Sequence, residues 1–327
     1  MQVSTSVLGN APDPGECSAY FLVGPTAVGK SKVAEYIAQK YGYDILSADS
    51  MQIYIGMDIG TAKPQLDVRS SISYHGVDIV DPTKSFSAGE YRQYALNVLA
   101  CNAAAGRKTI VVGGTGLYIK ALTNGLSSAS RSDPAIRARW AQVLEEHGIT
   151  ALQKVLQERS SGFYDGLKDK ENARRLIRAL EQTEMGFEQA SRTWDRTEKW
   201  SAPLAGLISP ASDLANSIEM RVRRMYELGL VGEVRALLAK HGALSQTAYH
   251  AIGYAEAIDI LEGRCKQEEA ICRTVVRTRQ LAKRQRTWFR HQADVKWVEV
   301  NKNVDTQGIA GLVMKHWGEY GPTEIEE

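Results

Sequence analysis

The chain has 327 residues, a formal net charge of +2, 43% hydrophobic residues and 24% charged residues, which is typical of a soluble globular protein. Its length allows one large domain or two of ordinary size, and no apolar run could span a bilayer. The first 16 residues are polar and unlike a signal peptide, so we expect a flexible tail at 1–16. The four cysteines are scattered, which favours reduced thiols in the cytoplasm over disulfides or a zinc site.

A phosphate-binding loop is predicted at residues 24–31, which match the pattern Gly-x-x-x-x-Gly-Lys-Ser. An apolar strand at 20–23 precedes it and a helical pattern follows, so an ordinary glycine-rich turn is a poor alternative. In such a loop the glycines let backbone N–H groups surround phosphate oxygens, and the helix N-terminus adds partial positive charge. The residues expected to bind a diphosphate or triphosphate are Gly24, Thr26, Ala27, Val28, Gly29, Lys30 and Ser31, and the Ser31 hydroxyl is the candidate ligand for Mg²⁺.

Two further strands, at 44–48 and 108–112, are predicted to end at the same edge of a parallel sheet as the phosphate loop. Asp49 follows the first of them and either faces a bound ligand or caps the next helix; its position alone favours neither. The turn at 113–116, Gly-Gly-Thr-Gly, follows the second strand and places the Thr115 hydroxyl near a phosphate or a leaving group. A plain tight turn is the alternative, because paired glycines are weak evidence of a site.

The remaining patterns predict a P-loop NTPase-like α/β fold, a parallel sheet flanked by helices with an all-helical insertion. In the core they predict a loop at 56–64, strands at 77–80, 207–209 and 296–300, and helices at 86–104 (starting near Ser85 or Ser87), 219–240 and 254–261. In the insertion they predict helices at 134–147, 150–158 and 171–182. The predicted domains are a core at 17–126 and 201–320, the insertion at 127–200 and a frayed tail at 321–327.

A basic helix is predicted at 270–290, because residues 273–290 contain seven lysines and arginines and no acidic residue. This segment carries +7, so the rest of the chain carries −5 (2 − 7), and the concentrated charge suggests a polyanionic partner. Arg279, Lys283, Arg286 and Arg290 step by four, three and four residues and form one stripe. Trp288 and Phe289 interleave with it, which suits a phosphate backbone and stacked bases.

Together these features indicate an enzyme that holds a small phosphorylated donor and acts on a nucleic acid. Two reactions stay open on the residues alone: phosphoryl transfer, and alkyl transfer with a diphosphate leaving group. The arginines of the insertion are interpreted at this point as solvated charges.

The chain resembles the tRNA dimethylallyltransferases, also called tRNA isopentenyltransferases, over nearly its whole length. The matching segments, in family order, are residues 24–31, 49–54, 56–64, 113–118, 173–181, 229–234, 251–254 and 278–290. The segments at 56–64, Gly-Met-Asp-Ile-Gly-Thr-Ala-Lys-Pro, and at 278–290, which begins Thr-Arg-Gln-Leu-Ala-Lys-Arg, are far more specific than the phosphate loop.

The resemblance implies transfer of a dimethylallyl group from dimethylallyl diphosphate to N6 of adenine 37, beside the anticodon of tRNAs that read codons starting with U. It implies Asp49 as the general base, Thr115 and Arg221 as diphosphate contacts, Mg²⁺ as cofactor, and a monomer without an obligate protein partner. It implies that the anticodon stem-loop, with its target base flipped, is bound through Asp49, Ser50, Met51, Gln52, Thr115, Arg137, Arg174, Arg175, Leu176, Ile177, Arg178, Arg279, Gln280, Lys283, Arg284 and Arg286.

The chain departs from the family pattern at two places. Residues 213–217 replace arginines that are usual before Arg221, and Ala255 stands where a charged or polar residue is common. The rival interpretations are an adenylate isopentenyltransferase acting on free AMP, ADP or ATP, a small-molecule P-loop kinase, and a non-catalytic RNA-binding module. The basic stripe and the insertion argue against the first two, because a small acceptor needs neither. The phosphate loop with Asp49 and Thr115 argues against the third.

Overall fold

The structure is a computed structural model that describes residues 17–125, 133–167, 169–187, 202–301 and 304–325. The chain divides into two compact units, Met1–Gly125 with Lys199–Glu327, and Leu126–Glu198. The flexible tail predicted at 1–16 lies outside the described residues. Among the residues described, no helix combines the length and the apolar character needed to cross a membrane.

The larger unit is built on one sheet of seven strands within its described residues. The strands are Ser18–Val23 (β1), Asp44–Ala48 (β2), Tyr74–His75 (β3), Thr109–Gly113 (β4), Leu204–Ile208 (β5), Val295–Glu299 (β6) and Thr323–Glu324 (β7). Their order is β3-β2-β4-β1-β5-β6, all parallel, and β7 pairs antiparallel with β1. Strands β2 and β4 are buried along their whole length, as parallel strands covered on both faces are. The predicted P-loop α/β fold is confirmed.

Helices flank the sheet in the larger unit, and a separate set of helices forms the described part of the smaller unit. They are Lys30–Tyr41 (α1), Leu66–Ser71 (α2), Ala88–Ala104 (α3), Gly116–Thr123 (α4), Pro134–Arg159 (α5), Ser161–Gly166 (α6), Ala173–Glu184 (α7), Ala211–Glu227 (α8), Leu230–His241 (α9), Gln246–Tyr249 (α10), Tyr254–Leu261 (α11), Gln267–Gln292 (α12) and Thr306–Tyr320 (α13). Leu22 packs in one buried cluster of the larger unit, and its neighbours Phe21 and Val23 pack in another. Since successive strand residues point to opposite faces, the two clusters lie on opposite faces of the sheet.

The smaller unit consists of α5, α6 and α7 in the residues described, and it has its own core. Trp140, Leu152, Phe163 and Leu176 are among the buried residues of that core. Helix α5 covers two of the predicted helices, and Gly148, with φ 74°, marks the kink between them.

The start of α3 follows directly from the sequence. The Ser87 side chain accepts a hydrogen bond from the Glu90 N–H at 3.2 Å, and the Glu90 carboxylate accepts one from the Ser87 N–H at 2.7 Å. This reciprocal pair is a capping box, which satisfies two N–H groups that the first helical turn would otherwise leave unbonded. The predicted start near Ser87 is confirmed.

Two predicted core elements are wrong. Residues 77–80 are not a strand: the strand is β3, and Val80 forms only an isolated bridge with Tyr54. The cause is Asp78, whose φ of 54° is incompatible with an extended strand. The single helix predicted at 219–240 is two helices, α8 and α9, because Gly229 adopts a left-handed φ of 98° between them.

The frayed tail predicted at 321–327 is also wrong for its described residues. Strand β7 pairs with Ser18 and Ala19, and the Ile325 N–H donates to the Cys17 carbonyl at 2.8 Å. The acidic composition of the segment suggested exposure, but β7 pairs with the start of the central strand β1, and the alternate residues Thr323 and Ile325 of the segment are buried. Helix α13, which precedes this strand, was not predicted.

Gly113 supports a stability prediction, because a Cβ atom there would lie 2.2 Å from the Ala48 carbonyl oxygen. We expect Gly113→Ala to lower the free energy of unfolding by about 3 kcal/mol. Strands β2 and β4 cannot move apart to make room for the methyl group without losing the hydrogen bonds between them. Gly232→Ala is the control: it lies exposed in α9 with no described atom within 4 Å of the added Cβ. Urea unfolding should show a small gain for the control, and equal effects of the two substitutions would contradict the packing argument.

Candidate active site

Three loops begin at the same level of the sheet, because the strands that precede them end in register. Val23 at the end of β1 pairs with Gly113 at the end of β4, and Gly113 pairs with Ala48 at the end of β2. The phosphate loop, the turn after Gly113 and the segment that starts at Asp49 therefore emerge side by side. This is the edge at which open parallel sheets bind their ligands.

The phosphate loop is wound tightly at this edge. Gly24 has φ 140°, and a Cβ atom there would lie 2.4 Å from the Leu207 carbonyl oxygen. Ala27 and Gly29 also have positive φ, at 64° and 103°. Helix α1 then begins at Lys30, so its first N–H groups and its positive end are directed at the loop. A phosphate group fits this backbone arrangement.

Lys30 lies against the loop, with its ammonium donating to the Pro25 carbonyl at 2.7 Å. Burial lowers the pKa of Lys30 to about 7; nearby Asp49 opposes that shift, and nearby Arg221 adds to it. These three charged groups therefore form one electrostatic cluster. A bound anion would raise the pKa of Lys30 again and favour its charged form.

Arg221 reaches the same place from α8, despite the atypical residues that precede it. Its guanidinium donates to the Thr26 hydroxyl at 3.2 Å and to the Thr61 carbonyl at 3.4 Å. Burial lowers its pKa, and Asp49 opposes the shift. The structure thus brings Arg221 to the phosphate loop, and the diphosphate contact implied for it stays a prediction. A cation held there is suited to bind a phosphate oxygen.

Asp49 is held in a turn and does not cap a helix. Its Oδ1 accepts a hydrogen bond from the Met51 N–H at 2.9 Å, and the next helix, α2, begins only at Leu66. The helix-cap alternative is therefore wrong. The turn fixes the carboxylate at the end of β2, beside Lys30 and Arg221.

Thr115 joins the Asp49 segment to the glycine-rich turn. Its hydroxyl oxygen accepts from the Ser50 N–H at 3.1 Å, and its own N–H donates to the Ala48 carbonyl at 3.2 Å. A contact of 3.4 Å joins the two hydroxyls of Thr115 and Ser50. Thr115 therefore positions the backbone next to Asp49, and the turn at 113–116 is more than a plain tight turn.

Gln52 lies behind these residues and is buried. Its carbonyl oxygen accepts from the Ser47 hydroxyl at 2.9 Å, and its amide donates to the Thr61 carbonyl at 3.3 Å. Ser50 and Met51 are half-buried beside it. The RNA contacts implied for these residues stay predictions; for Gln52 the geometry shows a role in holding the loop at 56–64.

That loop is fixed by residues whose roles were missed at the level of sequence. The Glu233 carboxylate accepts from the N–H groups of Asp58 and Ile59, at 3.1 and 2.8 Å, and from the Tyr254 hydroxyl at 2.6 Å. The buried Lys63 ammonium lies 2.6 Å from the carboxylates of both Asp58 and Asp78. Glu233 and Tyr254 lie in the segments at 229–234 and 251–254, which resemble the family. That resemblance was the only sign in the sequence that these residues matter. In the fold they support the loop that supplies Thr61 to Arg221.

One face of the basic helix α12 packs against the glycine-rich loops and the core of the larger unit. Gln285 contacts both glycine-rich loops, Trp288 packs on Gly116, and Phe289 is fully buried. The prediction that Trp288 and Phe289 interleave with the stripe to stack on bases is therefore wrong for Phe289, and it is not supported for Trp288. The aromatic side chains anchor the helix to the sheet domain instead.

The charges of α12 divide along its length. In the first half Arg273 pairs with Asp259, Arg277 with Glu256 and Arg279 with Glu219. In the second half four cations have no acidic partner among the described residues: Lys283, Arg284, Arg286 and Arg290. Arg286 is half-buried, whereas the other three and Gln280 are exposed. The unpaired positive charge is thus concentrated in the half that also contacts the phosphate loop.

The smaller unit carries the other arginines implied to contact RNA. Arg174 and Arg175 are exposed on α7, and Ile177 is half-buried. Arg137 donates to the buried Glu181 at 2.9 Å, and Arg178 pairs with the same carboxylate. The Leu176 side chain is fully buried in the core of this unit, and the RNA contact implied for this residue stays a prediction.

Magnesium was predicted at Ser31, in the first turn of α1. The Ser31 side chain is exposed there, at the mouth of the phosphate loop. No cluster of three or more His, Cys, Asp or Glu side chains suited to a metal occurs among the described residues. One hydroxyl fits Mg²⁺ only together with phosphate oxygens and water, which is how this ion commonly binds beside phosphorylated substrates.

A parallel sheet whose strand ends carry a phosphate loop, two cationic side chains and a carboxylate defines a P-loop enzyme that binds a phosphorylated substrate. Comparison with known proteins identifies the family. The IPP transferase family matches residues 52–292, and the isopentenyl transferase family matches residues 17–72. The chain belongs to the IPP transferase family. The predicted resemblance is confirmed, and the chain is a transferase.

Individual relatives support this assignment. A tRNA dimethylallyltransferase of Corynebacterium jeikeium is 38% identical over 283 residues, which cover 86% of this chain and 91% of that protein. One of Geobacillus kaustophilus is 40% identical over 283 residues, covering 85% and 89%. The crystal structure of a tRNA isopentenylpyrophosphate transferase from Bacillus halodurans is 32% identical, with a TM-score of 0.67 and coverage of 93% of this chain and 98% of that chain.

The lowered pKa of Lys30 predicts a pH-dependent stability. Between pH 7 and the ordinary lysine pKa of 10.5 the unfolded chain binds a proton that the folded chain does not, so stability rises with pH across this window. Lys30→Met removes the cost of burying the charge. We expect it to raise the melting temperature of the ligand-free protein at pH 6, by an amount that shrinks toward pH 10.

Calorimetry at several pH values measures this effect. Lys32→Met is the control, because Lys32 is exposed on the same helix. A pH-independent difference between wild type and Lys30→Met would show that Lys30 keeps its proton throughout.

Proposed function

We propose that this chain transfers the dimethylallyl group of dimethylallyl diphosphate to N6 of adenine 37 in tRNA, next to the anticodon, in tRNAs that read codons starting with U. The product is N6-(dimethylallyl)adenosine. The observation that carries the proposal is the cluster of Lys30, Arg221 and Asp49 at one sheet edge, in a chain of this family. The cations suit a departing diphosphate, and the carboxylate suits an amine that must lose a proton.

The diphosphate binds in the loop at 24–31. Its oxygens accept hydrogen bonds from the backbone N–H groups at the start of α1, and Lys30 and Arg221 neutralise its charge. The Ser31 hydroxyl would help to hold Mg²⁺, and the bound ion would supply positive charge to stabilise the diphosphate as a leaving group. Binding of the anion raises the pKa of Lys30 again, so the lysine side chain carries its positive charge while the diphosphate is bound.

Asp49 acts on the acceptor. The exocyclic amine of adenine is a weak nucleophile, because its lone pair is delocalised into the ring. N6 attacks the allylic carbon, the carbon–oxygen bond to the diphosphate breaks, and the proton of N6 passes to the Asp49 carboxylate. The turn that fixes Asp49, and the hydrogen bond that the neighbouring Ser50 N–H donates to the Thr115 hydroxyl, hold this carboxylate in place. Thr115 also contributes to holding the diphosphate.

The tRNA binds through exposed cations. Lys283, Arg284 and Arg286 of α12, with Gln280 beside them, contact the phosphate backbone of the anticodon stem-loop. Arg174 and Arg175 of α7 contribute from the smaller unit. A base inside the stacked loop is out of reach of the half-buried Asp49 carboxylate, so the target adenine is flipped out before it reacts.

The acceptor distinguishes this function from its rivals. Radiolabelled dimethylallyl diphosphate with magnesium is offered to an unmodified anticodon stem-loop that carries adenine 37 between two further adenines, and separately to AMP and ATP. We expect label on the stem-loop alone. Label on the free nucleotides would identify an adenylate isopentenyltransferase and contradict the proposal. Absence of label from every acceptor would favour a phosphoryl-transfer reaction.

Asp49→Asn tests the general base. The substitution keeps the size of the side chain but removes its basicity, so we expect kcat to fall by about 10²- to 10⁴-fold while the Kd for the stem-loop changes less than about twofold. Asp67→Asn, an exposed aspartate on α2, is the control and should leave both values unchanged. Normal turnover of Asp49→Asn at saturating substrates would refute the assignment.

The double variant Lys283→Ala with Arg286→Ala tests the RNA surface. Loss of two phosphate contacts should weaken stem-loop binding and reduce the slope of log affinity against log salt by about 1.5. The control, Arg235→Ala with Lys240→Ala, removes the same charge from the exposed side of α9. Filter binding over a range of salt concentrations measures both. If the slope of log affinity against log salt falls equally in both double variants, α12 contributes only through the net charge of the protein, which would contradict the proposed RNA surface.

A further inference from the structure

Gln285 is the one side chain of α12 that hydrogen-bonds to both glycine-rich loops of the candidate active site, within the part of the chain that the structure describes. Its carbonyl oxygen accepts from the Thr26 N–H of the phosphate loop at 2.8 Å. Its amide donates to the Gly114 carbonyl of the second glycine-rich turn at 3.0 Å. The two bonds have opposite polarity, so a carboxamide satisfies both in one orientation only.

Two glycines of the turn at 113–116 lie directly against Gln285 and Trp288 of α12. A Cβ atom at position 114 would lie 2.3 Å from the Gln285 amide nitrogen, and one at position 116 would lie 2.3 Å from the Trp288 ring. The two turn glycines therefore allow α12 to approach closely enough for the side chain to reach both loops. Phe289, fully buried four residues further along the helix, anchors this face.

Thr26 is consequently held from two directions. Gln285 binds its N–H, and Arg221 donates to its hydroxyl at 3.2 Å. Each partner comes from a different helix, α12 and α8. The phosphate loop is thus fixed at its outer edge by side chains, in addition to the strand before it and the helix after it.

We propose that Gln285 is a positioning residue for the diphosphate: it holds the phosphate loop and the turn at 113–116 at the separation that the diphosphate requires. The inference rests on the proposed function and names a residue that sets the affinity of the donor site. Both groups bonded by Gln285 are backbone groups, so the side chain acts on the shape of the site and touches no reacting atom. A loop ordered in advance binds its ligand without a further entropic cost.

Gln285→Met tests this role, because methionine has a similar length and cannot form either hydrogen bond. We expect the KM for dimethylallyl diphosphate to rise about tenfold, with kcat and the KM for the stem-loop changed less than about twofold. Gln267→Met, at the exposed first residue of the same helix, is the control. A purely structural role would lower kcat through loss of folded protein and leave the KM for the donor unchanged, and that result would overturn the proposal.

Gln285→Glu supplies a second test that does not depend on the first variant folding. An ionised carboxylate cannot donate to the Gly114 carbonyl and repels the diphosphate, whereas a protonated one restores both hydrogen bonds. We therefore expect the ratio of variant to wild-type Kd for inorganic diphosphate with magnesium to fall as the pH is lowered from 8 to 4, into the range where a glutamate side chain becomes protonated. A ratio that stays constant over this range would contradict the proposal.

The two readouts separate this inference from the proposed function. If wild type labels the stem-loop but Gln285→Met keeps its KM for the donor, the inference fails and the function stands. If wild type labels no RNA, the function fails, and the inorganic diphosphate titrations alone decide the role of Gln285.

Discussion

The register of three neighbouring strands is the constraint on which the site depends. Val23, Gly113 and Ala48 end their strands at one level, so the phosphate loop, the glycine-rich turn and Asp49 start together. Gly113 permits this contact, because any side chain there would meet the Ala48 carbonyl oxygen. A slip of one residue would turn the side chains of a strand to the opposite face and move Asp49 away from Lys30.

The side chains around this edge form successive layers of support. Lys30, Arg221 and Asp49 share one electrostatic environment, which suits a reaction that separates an anionic leaving group from a proton. Behind them Thr115 fixes the Asp49 segment and Gln285 fixes the phosphate loop. Further out, Glu233 holds the loop at 56–64 through backbone N–H groups. Segments far apart in the chain thus contribute to one candidate active site.

The sequence predicted the parts of the protein that depend on local patterns. The strand, loop and helix around residues 24–31, the start of α3 near Ser87 and the basic charge of α12 are each encoded within a few neighbouring residues. The break at Gly229 was missed, because an amphipathic pattern runs through it. The burial of Phe289 and Leu176 and the pairing of β7 depend on tertiary contacts, as do the roles of Glu233 and Gln285, so they could not be predicted from local patterns.

The position of the transferred group on the RNA tests the central claim most directly. Full-length tRNA is incubated with the protein, dimethylallyl diphosphate and magnesium, then digested to nucleosides and analysed by mass spectrometry beside an authentic N6-(dimethylallyl)adenosine standard. The account predicts one modified nucleoside, which matches this standard and comes from the fragment containing adenine 37. A dimethylallyl group on another atom or another nucleoside, or tRNA recovered unmodified, would contradict the pairing of a diphosphate site with Asp49 as the base that accepts the proton of N6.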